Sequence, residues 1–120
     1  MMIGVPKEIK NDEYRVGLTP SSVRELTTRG HTVLVECKAG AGIGATDAAY
    51  EKAGATMIAS ASELFARADM IVKVKEPQAA ERAMLRADQI LFTYLHLAPD
   101  PDQCRDLVSS GAVCIAYETV

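Results

Sequence analysis

Apolar residues fall in short runs along the whole chain, separated by polar and turn-forming segments. The runs are MIGV (2–5), HTVLVE (31–36), ATMI (55–58), DMIVKV (69–74), QILFTY (89–94) and AVCIAY (112–117). Several are apolar on both faces, as strands are when a parallel sheet lies between helices. Helix boundaries lie between the runs. Thr19 with Pro20 opens one helix and Gly30 closes it; Thr46 and Asp47 start a short one that Gly54 ends. Ser60 with Glu63 forms a capping box, and Asp100, Pro101 and Gln103 open a last helix that ends at Gly111. The alternation predicts an α/β fold, a parallel sheet with helices on both faces.

A chain of 120 residues with 48% hydrophobic content suits one core and one domain. The formal net charge of −3, with no cluster of Lys and Arg, gives no electrostatic footprint for nucleic acid or an anionic membrane, so small molecules are the expected partners. No run approaches the roughly 18 apolar residues of a membrane span, and the expected location is cytoplasmic. Cys37, Cys104 and Cys114 form no CxxC pair and leave an odd count, which argues against a disulfide framework or a zinc site. They read as reduced, small core or near-core residues. No metal site is expected. The chain stops at YETV directly after a strand, which reads as a cut end.

The segment KAGAGIGATD (38–47) carries Gly40, Gly42 and Ala45 at the GxGxxA spacing of a dinucleotide-binding turn. The helix start at Thr46 and Asp47 follows the glycines instead of containing the last small residue. Asp47 would repel a pyrophosphate, and no acid ends the next strand to take a ribose hydroxyl. The segment is therefore read as a flexible surface turn, and no cofactor-binding residue is expected in this chain.

Candidate chemistry lies at the carboxyl ends of strands, the edge at which open α/β sheets bind ligands. The polar loop KEIKNDEYRVGLTP carries Arg15, VKVKEP carries Lys73 and Lys75, and TYLHLAPD carries His96. Strand alternation would put Lys73 and Lys75 on one face, with Lys73 the weaker candidate. Singly, each has an ordinary explanation: a solvated loop cation, a strand-end charge, a capping or core histidine. Jointly, an arginine fork grips a carboxylate, a lysine polarises a carbonyl, and an imidazole exchanges protons near neutral pH. Those are the needs of a 2-oxo or 2-amino acid site. Asp12 and Glu13 read either as partners of these cations or as solvated loop charges. Strand order is open, except that the first and fourth strands must neighbour one another for Arg15 and Lys75 to converge.

The stretches IGVPKEIKNDEYRVGLTP, VKVKEP, FTYLHLA and AYETV together resemble the N-terminal domain of the alanine dehydrogenase / NAD(P) transhydrogenase family, over residues 1–120. The resemblance implies a flavodoxin-like or Rossmann-like three-layer sandwich that binds pyruvate or L-alanine, cut before a separate NAD-binding domain. It implies that Arg15 and Lys75 hold the substrate carboxylate and carbonyl oxygen, and that His96 is the acid/base, with Lys75 also stabilising developing charge. The implied reaction is reversible oxidative deamination of L-alanine to pyruvate and ammonia, with hydride passing to NAD on the domain absent here. The isolated chain is then expected to be inactive, and its surface to favour self-association as a homo-oligomer. A related saccharopine dehydrogenase or transhydrogenase domain and a non-catalytic metabolite-binding module are the alternatives. A phosphoacceptor receiver fits poorly, because Lys7 and Glu8, Ser60 and His96 stand where its acidic pair, aspartate and lysine would be.

Overall fold

The protein is described by a computed structural model covering residues 1–97 and 100–119. Ala98 and Val120, the last residues of the FTYLHLA and AYETV motifs, lie outside the described residues. The elements run β1 (Met2–Val5), α1 (Pro20–Thr28), β2 (Thr32–Glu36), α2 (Asp47–Lys52), β3 (Thr56–Ile58), α3 (Ala61–Arg67), β4 (Met70–Val72), α4 (Ala79–Arg82), β5 (Ile90–Thr93), α5 (Pro101–Ser110) and β6 (Val113–Ala116). The six strands pair in parallel in the order β3-β2-β1-β4-β5-β6. This is the doubly wound Rossmann order, not the flavodoxin one, and its direction reverses between β1 and β4. The expected adjacency of the first and fourth strands is present, with Ile3 opposite Met70 and Gly4 opposite Ile71.

Register explains the layers. Leu34, Gly4, Ile71, Leu91 and Cys114 stand side by side across five strands. On that face the row meets Leu64 and Phe65 of α3 and Leu107 of α5. Val5, Val33 and Val35 face the other way, against Val23 of α1 and Tyr50 of α2. Leu91, fully buried, anchors the first layer; a Leu→Ala change at such a site costs about 2–5 kcal/mol, through lost transfer energy and the cavity left behind. Among the described residues, no helix is long and apolar enough to cross a membrane.

The helix starts at Thr19, Thr46, Ser60 and Asp100 are as read, each side chain accepting a backbone N–H of the first turn. Four expectations need correction. Glu63 does not complete a capping box with Ser60, because its carboxylate faces Arg67 at 3.5 Å; the reciprocal bond is made by Glu81 to the Gln78 N–H at 2.8 Å, at the start of the unanticipated α4. The fourth strand ends at Val72 instead of residue 74, although the Lys73 N–H still reaches the Phe92 carbonyl at 3.0 Å. Lys73 and Lys75 consequently do not share an open face: Lys73 turns into the interior. Cys104 is exposed on α5, not near the core, whereas Cys37 and Cys114 are half-buried.

Candidate functional site

The loop between β1 and α1, residues 6–18, crosses the end of the sheet at the β1/β4 reversal. Gly17 lets it lie flat there, since a Cβ at that position would stand 2.5 Å from the Val72 carbonyl oxygen. The Tyr50 hydroxyl donates to the Leu18 carbonyl at 2.7 Å and fixes the far end of the loop. Arg15 and Lys75 converge as expected. With Val74, Tyr94 and Tyr117 they line a cleft of about 290 Å³.

Each group has a defined neighbour. The Arg15 guanidinium donates to Glu13 through Nε at 2.9 Å and Nη2 at 2.8 Å. Of the two acids considered as partners, Glu13 is thus the one that pairs. That bond holds the Glu13 carboxyl down at about 2 and raises Arg15. Glu13 takes the side edge of the guanidinium, and a planar fork with five donors keeps its end edge for another carboxylate. The Lys75 ammonium lies 5.3 Å from the centre of the Tyr94 ring, within reach of a cation–π attraction. Burial raises the Tyr117 phenol, whose hydroxyl donates to the Lys73 carbonyl.

His96 does not line this cleft. It stacks on the Tyr94 ring, the ring that Lys75 also neighbours, with centroids 5.6 Å apart, and its Nδ1 is 3.2 Å from the Tyr94 hydroxyl. Its ring is exposed, and its backbone is left-handed at φ 49. That conformation costs a residue with a Cβ on the order of 1 kcal/mol. Two charge-assisted bonds offset it: Glu118 accepts the Leu95 N–H at 3.1 Å and the His96 N–H at 2.9 Å. The same bonds draw the Glu118 carboxyl below its ordinary value.

Lys73 is the sequence candidate that the site does not use directly. It is buried and paired with Glu8 at 3.1 Å and Glu81 at 3.0 Å. Burial raises the Glu81 carboxyl against the pull of Lys73. Tyr94, Tyr117, Glu8 and Glu118 were not singled out as partners of the site from sequence. Tyr94 and Tyr117 stand inside the FTYLHLA and AYETV stretches, but a tyrosine beside a strand reads as core.

The glycine segment lies at the surface, as expected, and is anchored there by packing at its glycines. Residues Ala41–Ile43 form a 3-10 turn packed on the residue 6–18 loop; a Cβ on Gly42 would stand 2.2 Å from the Tyr14 carbonyl oxygen. The Asp47 carboxylate accepts the Lys38 N–H at 2.8 Å, and Thr46 caps the helix. Gly40 is buried, with the Ala45 carbonyl oxygen and the Tyr50 ring where a Cβ would stand, whereas residues 41–44 are exposed. The loop after β1, where the Rossmann order would place the phosphate turn, is instead rich in charged side chains. Among the described residues no group of His, Cys, Asp and Glu could hold a metal ion.

A family model described as "Alanine dehydrogenase/PNT, N-terminal domain" matches residues 4–120. The chain belongs to that family. It is 58% identical over its whole length to an alanine dehydrogenase of Halomonas elongata and 51% identical to one of Mycobacterium tuberculosis, and it spans 32% of each. A solved L-alanine dehydrogenase superposes on 98% of the chain with a TM-score of 0.95 and 53% identity, the chain spanning 32% of it. A transhydrogenase structure from Sinorhizobium meliloti superposes on 98% with a TM-score of 0.91 and 29% identity, the chain spanning 35% of it. Both branches of the family thus share the fold, and the sequence is nearer to the alanine dehydrogenase branch.

Proposed function

We propose that this chain is the substrate-binding domain, residues 1–120, of an NAD-dependent L-alanine dehydrogenase, which interconverts L-alanine with pyruvate and ammonia in the cytoplasm. The observation that carries the reading is the convergence of Arg15 and Lys75 in one cleft at the strand-order reversal. Arg15, already oriented by Glu13, offers a carboxylate its free edge. Lys75 stands beside it as a cation for the substrate's carbonyl oxygen and stabilises negative charge developing there. His96 holds and moves the protons exchanged when water or ammonia adds at the α-carbon. Its Nδ1 is engaged by the Tyr94 hydroxyl, which leaves Nε2 for the substrate. NAD, bound outside this chain, supplies the hydride acceptor, so the isolated chain binds substrate without turnover.

Exposed Val108, Val113 and Ile115, on α5 and the edge strand β6, support self-association. A concentration-dependent mass in light scattering would bear this out.

The test is pyruvate titration followed by NMR on the chain. Arg15→Ala and Lys75→Ala should each weaken binding at least about tenfold, as loss of a charge-assisted contact does, while His96→Ala binds normally. In a polypeptide that joins this domain to a family NAD-binding domain, His96→Ala should lower turnover roughly 100- to 10,000-fold. A destabilised but fully active His96→Ala protein would remove the acid/base assignment.

A further inference from the structure

Glu8 is an acid with almost no access to water, its side chain 2% exposed. Its carboxylate gathers donors from one short segment on the other side of the crevice. Oε1 accepts Lys73 Nζ at 3.1 Å and the Lys75 N–H at 3.1 Å; Oε2 accepts the Val74 N–H at 3.1 Å. The strand has ended at Val72, so these half-buried amides have no strand partner and take the Glu8 carboxylate instead. The carbonyl of Lys75 is held as well, by the Thr93 hydroxyl at 2.8 Å. The Lys75 residue is therefore fixed at its N–H and at its C=O by two different side chains.

We propose that Glu8 is the positioning residue for Lys75, locking the loop that carries Arg15 to the segment that carries Lys75 so that the two cations present one preset spacing to a substrate. This rests on the reading of Arg15 and Lys75 as substrate ligands. Glu8 itself touches no substrate. It acts through the backbone of residues 74 and 75, and it lies in the same residue 6–18 loop as Arg15. The arrangement needs a carboxylate. Two equivalent oxygens can take three donors at once, whereas a glutamine offers one oxygen and turns an NH₂ toward an N–H. It also needs the length of Glu, because Asp is one methylene shorter. Glu81 supplies an internal control. It binds the same lysine, Lys73 at 3.0 Å, but spends its other oxygen on the Gln78 N–H at 2.8 Å, away from Lys75. Loss of either acid disturbs the buried lysine; only loss of Glu8 releases Lys75.

The experiment compares Glu8→Gln, Glu8→Asp, Glu81→Gln and Lys75→Ala in the chain with two readouts. One is the set of nuclear Overhauser contacts between the Lys75 side chain and the Tyr94 ring, which needs no ligand. The other is the pyruvate dissociation constant. Both Glu8 variants should lose the contacts and bind pyruvate on the order of 10- to 100-fold more weakly, the loss seen when partners that orient a ligating group are removed. Glu81→Gln should keep the contacts and the affinity. Contacts that persist in a folded Glu8 variant, equal loss in Glu81→Gln, or failure of both Glu8 variants to fold would overturn the proposal, the last by showing that Glu8 holds the fold as a whole. Unchanged pyruvate affinity in Lys75→Ala would instead overturn the reading of the site, with the Lys75–Tyr94 contacts still deciding what Glu8 holds.

Discussion

Glu118 accepts the His96 backbone N–H at 2.9 Å, so the residue two places after β6 sets the conformation of the residue three places after β5. The bond holds a histidine in the left-handed region. The His96 N–H, with the Leu95 N–H beside it, draws the Glu118 carboxyl below the ordinary value of 4.5. A depressed acid stabilises the folded arrangement above its unfolded pKa, and the effect is lost as pH falls through the folded one. The His96 and Leu95 amide resonances should therefore share an acid transition whose midpoint lies below 4.5. A midpoint at or above 4.5 would show that Glu118 does not hold the loop. Glu118→Gln should shift these two amides at neutral pH and leave Leu91 in place.

Arg15 and Glu13 give a second acid transition. With the Glu13 carboxyl held at about 2 by the Arg15 side chain, the pair should survive from neutral pH down to that value. The sign is that of Glu118: the contribution is complete above 4.5 and disappears as pH falls toward 2. Since the guanidinium is 63% exposed, salt should weaken the effect. The Arg15 Nε–H resonance, followed against pH at low and high salt, reports it directly; a midpoint near 4 at low salt would mean that Arg15 is free. Glu13→Gln should loosen Arg15 and weaken pyruvate binding while leaving the melting temperature nearly unchanged.

Much of the scaffold was legible from local rules. The caps at Thr19, Thr46, Ser60 and Asp100 use the side chain and amides of one turn, and the strands announce themselves as Val- and Ile-rich runs. Arg15, Lys75 and His96 could be singled out because the ends of parallel strands share one edge. What escaped depends on distant partners. Lys73 alternates with Lys75 in sequence, yet two acids, Glu8 65 residues earlier and Glu81 on a four-residue helix, draw it inside. That helix is too short for its apolar period to show. Glu8 and Glu118 act by accepting backbone N–H groups 66, 67, 22 and 23 residues away, and a backbone donor carries no mark in the sequence.

Glu81 should behave oppositely to Glu13 and Glu118. Burial raises its carboxyl above 4.5 despite the pull of Lys73. An acid raised in the folded state contributes stability below its unfolded pKa, and that contribution is lost as pH rises through the folded one. Glu81→Gln removes this proton linkage. The melting temperature of the variant minus that of the parent should therefore increase as pH rises from 4.5 toward neutrality. A difference that stays flat or falls would mean that Lys73 fully compensates the burial.

The last prediction concerns Gly17, where the substrate loop meets the sheet. A Cβ at this position would lie 2.5 Å from the Val72 carbonyl oxygen and 2.9 Å from its carbon, both backbone atoms of a paired strand. Neither can swing aside as a side-chain tip would, so in Gly17→Ala the loop must lift away from β4. Overpacking of this kind costs about 1–3 kcal/mol. The displaced loop carries Arg15 two residues before Gly17 and Glu8 nine residues before it. Two losses should therefore appear together: a lower melting temperature and a pyruvate affinity weakened by about as much as in Arg15→Ala. A core substitution such as Leu91→Ala separates the two effects, because Leu91 lies in the layer under α3 and α5, away from the loop. At a temperature where both variants are folded, Leu91→Ala should bind pyruvate normally and Gly17→Ala should not. Equal affinities in the two folded proteins would show that the loop reaches its binding geometry without resting on the end of β4.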